Sequence, residues 1–207
     1  MAKLSNYSKN VKEDRRGTER PRLALDASGR WLLGARRLVS PNCDERPSGD
    51  DVDTLVIHGI SLPPGEFGGG HVEDLFCNRL DPDAHPSFAE LAQLRVAAHL
   101  LVRRDGKVVQ FCPFDRRAWH AGESAFDGRE ACNDFSIGIE LEGVDHLPYE
   151  SVQYARLTEV VKLLIRHFPA ISPERIVGHS DIATGRKTDP GPAFDWERLW
   201  SGVAPGG

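Results

Sequence analysis

The sequence predicts an α/β domain of the α+β kind, with a central mixed β-sheet flanked by helices. Two short apolar runs, at residues 53–60 and 135–143, are typical of buried strands. Residues 95–114 have the pattern of a β-hairpin, and residues 149–169 have that of a long amphipathic helix. Strands and helices therefore interleave along the chain with a hairpin among them, which favours helices packed on a mixed sheet.

Length and composition fit one globular domain with a polar extension. The chain has 207 residues, of which 40% are hydrophobic and 28% charged. A chain of this size can bury a full core without disulfide or metal cross-links. We expect a single domain over residues 21–207. Residues 1–20 mix charges of both signs with few apolar side chains, so we expect a flexible tail there.

Charge and cysteine content disfavour several classes of partner and location. The net charge of −5 argues against nucleic acid as a partner. No stretch approaches the roughly 20 apolar residues of a membrane span. The N-terminus lacks the apolar segment of a secretory signal, and the four cysteines form no Cys-x-x-Cys pair. We therefore expect a soluble cytoplasmic protein with reduced thiols, whose protein partners the sequence does not identify.

The first half of the predicted domain alternates short elements with loops. DTLVIHGI, residues 53–60, is the first buried strand, and Pro-Pro-Gly with Gly-Gly-Gly makes residues 61–70 a loop. Residues 85–94 have the pattern of a short helix. In the hairpin that follows, Asp105-Gly106 supplies the turn. Alternate residues of its first strand share one face, namely Val96, Ala98, Leu100 and Val102.

The strand FSIGIELEG, residues 135–143, combines an apolar face with a polar one. One face carries Ile137, Ile139 and Leu141, and the other carries Ser136, Gly138, Glu140 and Glu142. A carboxylate between apolar neighbours on a central strand needs either a partner or a function.

The last third of the chain is mainly helical. The helix at residues 149–169 has an apolar stripe at the spacing of one helical face, formed by Leu157, Val160, Val161, Leu164, Ile165 and Phe168. Pro169 ends it. Ser172-Pro173-Glu174 is typical of the cap and first turn of a brief helix, and Asp195 is expected to cap a last one.

Reactive side chains concentrate in IVGHSDIATGRKTDPG, residues 176–191, which we expect to be a loop rich in glycine and proline. Catalytic zinc sites use three protein ligands from converging elements and leave one position for water. His58, at the end of a buried strand, and His179 are two candidate ligands. Either Asp181 or Asp189 could be the third. Composition does not choose between them, although the longer span to Asp189 lets the chain turn back toward the metal.

Two further residues are candidates for catalysis at such a site. Glu140 lies on the polar face of its strand and could act as a general base toward a metal-activated water. Lys187 precedes Asp189 by two residues and could stabilise a developing oxyanion. Each has a structural alternative, since Glu140 could be a salt-bridged strand residue and Lys187 a solvated charge. Asp181 in particular is typical of a capping or turn residue.

Five ordered motifs resemble one known family. They are LVIHGISLPPGEFGG, LRVAAHLLVRRDG, AWHAG, NDFSIGIELEG and GHSDIATGRKTDPGPAFDW, and the resemblance as a whole runs from roughly Leu23 to Trp200. In this order they are similar to the AmpD family of N-acetylmuramoyl-L-alanine amidases. The resemblance implies the sheet fold shared with peptidoglycan-recognition proteins and phage lysozyme-type amidases. It also implies a cytoplasmic zinc enzyme that cleaves the lactyl–L-alanine amide of 1,6-anhydro-N-acetylmuramic acid peptides, in some bacteria with an influence on β-lactamase induction.

The resemblance also implies roles for individual residues. Motif positions make His58, His179 and Asp189 the ligands of one zinc ion, which decides in favour of Asp189. They make Glu140 and Lys187 the catalytic pair. The positions that bind the muropeptide or line its cleft in the family fall on Arg95, Trp119 and His120.

Two positions depart from the family pattern. Gly59 follows the first zinc histidine where family members often have Asn, and Ala131 precedes the cysteine of CNDF where they often have Arg. Both positions are associated with substrate contacts, so affinity or substrate preference is expected to differ. The alternative function is a muropeptide-recognition module without catalysis. The presence of His58, His179 and Asp189 favours the enzyme, and the lack of a signal peptide disfavours an amidase acting on intact wall.

Overall fold

A computed structural model describes residues 21–47 and 52–204 of the chain. The predicted tail at residues 1–20 lies outside the described residues. The strands are β1 (Ala24–Leu25), β2 (Leu32–Leu33), β3 (Arg36–Arg37), β4 (Cys43–Glu45), β5 (Thr54–Ile60), β6 (Leu100–Val102), β7 (Val108–Gln110), β8 (Arg116–Ala118), β9 (Ala125–Phe126), β10 (Arg129–Glu130), β11 (Ser136–Glu142) and β12 (Ile176–Gly178). The helices are α1 (His71–Phe76), α2 (Phe88–Leu91), α3 (Ser151–His167), α4 (His179–Ile182) and α5 (Trp196–Val203), with 3-10 turns at Cys132–Asp134 and Pro173–Arg175.

The central sheet is mixed, which confirms the predicted fold class. Its six strands lie in the order β12-β5-β11-β6-β7-β3. Within this sheet the β6–β7 pair is antiparallel, and the other four pairs, β12–β5, β5–β11, β11–β6 and β7–β3, are parallel. Parallel pairing explains why β11 is buried throughout and β5 over its first five residues, because both faces of such strands are covered.

The two sides of the sheet have different roles. Leu55 and Ile57 of β5, together with Ile137 and Ile139 of β11, pack in one core cluster with α3 and α5. On the opposite side, Val56 packs with residues around α4, and a further cluster contains residues of α1 and α2. Because side chains alternate along a strand, His58 and Glu140 belong to the side opposite α3.

The hairpin forms as predicted but is shorter than the pattern at residues 95–114. Strands β6 and β7 pair with Val102 opposite Val108. The backbone N–H of Gly106 donates to the carbonyl of Arg103 at 2.8 Å, and Gly106 has a φ of +79° that suits glycine. Strand β6 begins at Leu100, so Val96, which was predicted to be part of it, lies before the strand.

Helix α3 confirms the predicted amphipathic helix and ends just before Pro169. Leu157, Val160, Val161 and Leu164 are fully buried in the main core. The N–H of Arg198 donates to the Asp195 carboxylate at 2.9 Å, so Asp195 caps α5 as expected. The brief helix predicted near Ser172 is the 3-10 turn Pro173–Arg175.

One helical prediction needs correction, and one helix was missed. The helix expected at residues 85–94 is only α2, a single turn, since the residues after it are irregular. Helix α1 directly follows the glycine-rich loop and was not predicted. Within residues 21–47 and 52–204, no helix is both long and apolar enough to cross a membrane.

Candidate metal centre

His58, His179 and Asp189 converge on one point. One ligand atom from each residue lies within 4.8 Å of the other two. The Nδ1 atoms of His58 and His179 are 3.2 Å and 3.1 Å from the same carboxylate oxygen, Oδ2 of Asp189. Both histidines are buried, with His58 1% and His179 4% exposed.

Strand pairing explains how distant parts of the chain meet here. Residues 176–191 are not a loop throughout, as expected from the sequence, because they begin with β12 and α4. Gly178 of β12 lies opposite Ile57 of β5, so His179 follows its strand next to His58. The N–H of Ser180 then donates to the carbonyl of Asp189 at 2.9 Å, which holds the rest of the segment folded back over α4.

The structure separates the two aspartates that composition left as alternatives. Asp181 is exposed, and its Oδ2 accepts a hydrogen bond from the N–H of Gly178 at 2.7 Å. It therefore caps the first turn of α4. Asp189 is the aspartate that faces the two histidines.

The electrostatics of the three residues suit a divalent cation. Burial lowers the pKa of His58 to about 4, which keeps its ring neutral. Burial alone would raise the pKa of Asp189, but the contacts with His179 and His58 hold it well below its ordinary value, so the carboxylate is charged. Two imidazoles and one carboxylate are a ligand set that zinc takes in catalytic sites, so these residues fit such an ion.

Glu140 is a buried carboxylate in an unusual environment. It is 8% exposed, and within the described part of the chain its Oε2 has no hydrogen-bond partner. Burial and the charge of Asp189 raise its pKa well above the ordinary value, and Lys187 opposes them.

Glu142, two residues along the same face, shows the contrast. Its Oε1 accepts from the N–H of Gly68 at 2.6 Å and its Oε2 from the N–H of Arg104 at 3.0 Å. Glu142 therefore has the structural role that the sequence left as an alternative for Glu140.

Lys187 is exposed, and its charge acts on the same centre. It lowers the pKa of both Glu140 and His58. The N–H of Lys187 donates to the carbonyl of Ala183 at 3.0 Å, which fixes its backbone beyond α4.

The three residues predicted to bind substrate lie in different surroundings. Arg95 is exposed and donates to carbonyls of its own loop, the nearest being Leu94 at 3.2 Å. The Trp119 side chain donates a hydrogen bond to Asp44, a carboxylate whose pKa is lowered mainly by Arg117.

Of the three, His120 is the residue that contacts the convergent group. Its Nδ1 is 2.9 Å from Nε2 of His58, on the side of that ring remote from Asp189. Burial lowers the pKa of His120 well below its ordinary value, so this ring is also neutral.

Tyr149 is a site residue that the sequence did not reveal. Its hydroxyl donates to the carbonyl of Pro190, next to Asp189, at 2.9 Å. A Cβ at Gly59 would lie 2.3 Å from that hydroxyl oxygen, so Gly59 leaves the space that Tyr149 occupies. No local pattern links residues 90 positions apart, and only the tertiary fold brings them together.

Comparison with known proteins agrees with the resemblance found in the sequence motifs. A family model described as N-acetylmuramoyl-L-alanine amidase matches residues 48–192. The chain is 60% identical over 169 residues to 1,6-anhydro-N-acetylmuramyl-L-alanine amidase AmpD of Escherichia coli K12, an alignment that covers 82% of this chain and 92% of the relative.

Two solved structures extend the comparison to the fold. The crystal structure of a Se-Met AmpD derivative superposes with a TM-score of 0.84 at 56% identity, covering 87% of this chain and 99% of that one. The second is a complex of the amidase AmiD from E. coli with the substrate anhydro-N-acetylmuramic acid-L-Ala-D-γ-Glu-L-Lys. It superposes with a TM-score of 0.54 at 31% identity, over 87% of this chain and 65% of that one. The matched motifs, the mixed sheet and the convergent residues agree, and the chain belongs to the N-acetylmuramoyl-L-alanine amidase family and, within it, to the AmpD group.

Proposed function

We propose that this amidase is zinc-dependent and hydrolyses the amide between the lactyl group of 1,6-anhydro-N-acetylmuramic acid and L-alanine in muropeptides. The observation that carries the proposal is the convergence of His58, His179 and Asp189 beside the buried carboxylate of Glu140, whose Oε2 has no hydrogen-bond partner among the described residues. The substrate is the one named for the E. coli AmpD relative and bound in the AmiD complex.

The three convergent residues would hold the ion. Zinc bound by them would supply Lewis acidity toward the amide carbonyl and would lower the pKa of water to about 7. The two neutral imidazoles leave most of the ligand charge to Asp189, so the centre keeps a net positive charge that favours an oxyanion.

Glu140 is proposed as the general base and then the general acid. Its raised pKa keeps it a strong enough base to take a proton from the attacking water. The same carboxyl group would then donate that proton to the nitrogen of the leaving L-alanine. Its Oε2 accepts no hydrogen bond from any residue that the structure describes, which leaves this oxygen available for both transfers.

Lys187 is proposed to stabilise the negative charge that develops on the carbonyl oxygen. Its positive charge already reaches Glu140 and His58, and an ammonium at the edge of a partly buried site is more effective than one in bulk water. An exposed side chain is also free to adjust when the substrate arrives.

Substrate binding is proposed for Arg95 and Trp119. A guanidinium suits the carboxylates of the stem peptide, and an indole face suits a sugar ring. For His120, the contact with His58 favours a role at the metal centre in addition to lining the cleft.

The setting that this activity implies is cytoplasmic recycling of peptidoglycan. Cleavage would separate the anhydro sugar from its peptide so that both can be reused. In a host with an inducible β-lactamase, the resulting fall in anhydromuropeptides would keep its expression low.

The proposal is tested by mass spectrometry of products after the zinc-loaded protein is incubated with anhydro-N-acetylmuramic acid tripeptide, beside a chelator-treated control. We expect free peptide beginning with L-alanine only in the metal-loaded sample. Intact substrate with zinc bound would contradict the enzyme and favour the recognition module.

A further inference from the structure

Two adjacent residues outside the ligand set, His120 and Ala121, contact both candidate ligand histidines. Nε2 of His58 is 2.9 Å from Nδ1 of His120, and Nε2 of His179 is 3.3 Å from the carbonyl oxygen of Ala121. We propose that this His120–Ala121 segment fixes the tautomers of both histidines, so that each presents an unprotonated Nδ1 to the metal. The inference rests on the metal-binding role proposed above and assigns the positioning residues of that centre.

For His179 the assignment is direct. A carbonyl oxygen can only accept a hydrogen bond, so Nε2 of His179 must carry the proton that it donates to Ala121. A histidine binds a metal as the neutral imidazole, which has one N–H, so the nitrogen left for the metal is Nδ1, which faces Asp189.

For His58 the assignment depends on a longer chain of contacts, because either ring nitrogen of the His58–His120 pair could be the donor. Nε2 of His120 lies 3.2 Å from the hydroxyl oxygen of Ser136. That hydroxyl lies 2.5 Å from the carbonyl oxygen of Cys132. The carbonyl only accepts, so the single proton of the serine hydroxyl is directed to Cys132.

The remaining protons then follow in sequence. Since the Ser136 hydroxyl donates to Cys132, it accepts from His120, and Nε2 of His120 carries a proton. Nδ1 of the neutral His120 ring is then an acceptor, so Nε2 of His58 must be its donor. Nδ1 of His58 is therefore bare, like that of His179.

The consequence is a centre prepared for a cation. The Nδ1 atoms of His58 and His179 lie 3.2 Å and 3.1 Å from the same oxygen, Oδ2 of Asp189, so an ion bound there would contact all three residues. Ligands already in the binding tautomer do not have to change it when the ion binds.

The segment itself is held firmly. Oδ1 of Asn133 accepts from the backbone N–H of His120 at 3.0 Å and from that of Ala121 at 2.8 Å. The imidazole of His120 also lies against the backbone of Gly138, where a Cβ would be 2.5 Å from its Cγ and Nδ1 atoms. Glycine at 138 is thus required for the ring to occupy this position, in the middle of the polar face of β11.

The test compares zinc affinity and histidine tautomers in the full chain. Zinc dissociation constants are measured by competition with a chromophoric chelator, and ring ¹⁵N NMR shifts report which nitrogen of His58 is protonated. His120→Ala should weaken zinc binding by about 10- to 100-fold, the usual effect of losing such an outer partner. His120→Asn should restore much of the affinity, because its amide oxygen can accept from His58 where Nδ1 does.

Two further variants separate the proposed role from general effects. Ser136→Ala keeps both imidazole rings but removes the hydroxyl at the end of the hydrogen-bond series from His58 through His120. His58 should then show a mixture of tautomers. His85→Ala removes a half-buried histidine that bonds to Ser87, and its zinc affinity should equal that of the wild type. Thermal unfolding of each zinc-free variant shows whether it is folded.

The outcomes distinguish the inference from the function on which it rests. A folded His120→Ala protein with wild-type zinc affinity and an unchanged His58 tautomer would overturn the inference and leave the metal site intact. If His120→Ala does not fold, an unchanged His58 tautomer in Ser136→Ala would overturn it instead. Failure of the wild-type chain to bind zinc would contradict the proposed function itself.

Discussion

His58 and Glu140 lie directly opposite each other on the neighbouring parallel strands β5 and β11. Paired strands are about 4.8 Å apart, and both side chains are on the face of the sheet away from α3. A candidate metal ligand and the buried carboxylate of Glu140 are therefore fixed side by side by backbone hydrogen bonds. A base placed in this way can reach a water at the metal without moving the backbone.

The choice of Asp189 over Asp181 is tested by removing each carboxylate. Asp189→Ala should lose both bound zinc and activity, falling to the rate of the chelated wild type, because the charged ligand is gone. Asp181→Ala should keep both and lose about 1 kcal/mol of stability as the cap of α4. Zinc content measured on gel-filtered protein checks this, and one zinc per chain in Asp189→Ala would contradict the ligand set.

Gly59 should not accept the asparagine that relatives often have. A side chain there would displace the Tyr149 hydroxyl from the carbonyl of Pro190, so Gly59→Asn should cost about 1–3 kcal/mol in free energy of unfolding. Pairing it with Tyr149→Phe should recover part of that cost, since the hydroxyl is removed. Denaturant unfolding of the single and double variants tests the coupling, and strictly additive effects would argue against it.

Of the two positions that depart from the family pattern, position 131 is the one where the family's arginine can be restored without adding strain. It is exposed, lines an open groove with Gly185 and Arg186, and has a φ of +57° that arginine adopts no less readily than alanine. Ala131→Arg should lower KM about tenfold if the new guanidinium makes a charge-assisted hydrogen bond to the muropeptide. Ala131→Gln is the uncharged control, and an unchanged KM in Ala131→Arg would remove this position from the substrate site.

The burial of Glu140 predicts a pH-dependent stability. Its folded-state pKa is raised above the unfolded value of 4.5, so above pH 4.5 the unfolded state binds fewer protons and stability falls as pH rises. Glu140→Gln should therefore raise the melting temperature of the zinc-free protein, with little effect at pH 4 and a clear one at pH 7. Glu142→Gln should instead lower it, because Glu142 is hydrogen-bonded.

Elements with a strong local pattern could be predicted from the sequence. Strands β5 and β11 and helix α3 each have an apolar pattern long enough to define them, and their bounds in the structure differ from the predicted ones by a few residues. Strands of two or three residues, such as β1 and β9, have no period to detect. Each forms because it pairs with the next strand along the chain, β2 or β10, across a short connection.

The ligand set could be predicted because its residue types are chemically distinctive, but the residues around it could not. Asp189 was preferred through spacing and resemblance, and the structure brings it to the two histidines. Tyr149, the carbonyl of Ala121 and the hydroxyl of Ser136 are ordinary groups whose importance depends on where the fold places them. Helix α4 was missed since its single turn begins inside a segment rich in glycine and proline.

The most direct test of the account is the turnover of Glu140→Gln with its zinc content measured on the same sample. Glutamine keeps the shape of the side chain but cannot take or return a proton. We predict one zinc per chain, as in the wild type, and a kcat lower by about 10²- to 10⁴-fold. A zinc-loaded Glu140→Gln enzyme that turns over anhydromuropeptide within a few-fold of the wild-type rate would contradict the central claim.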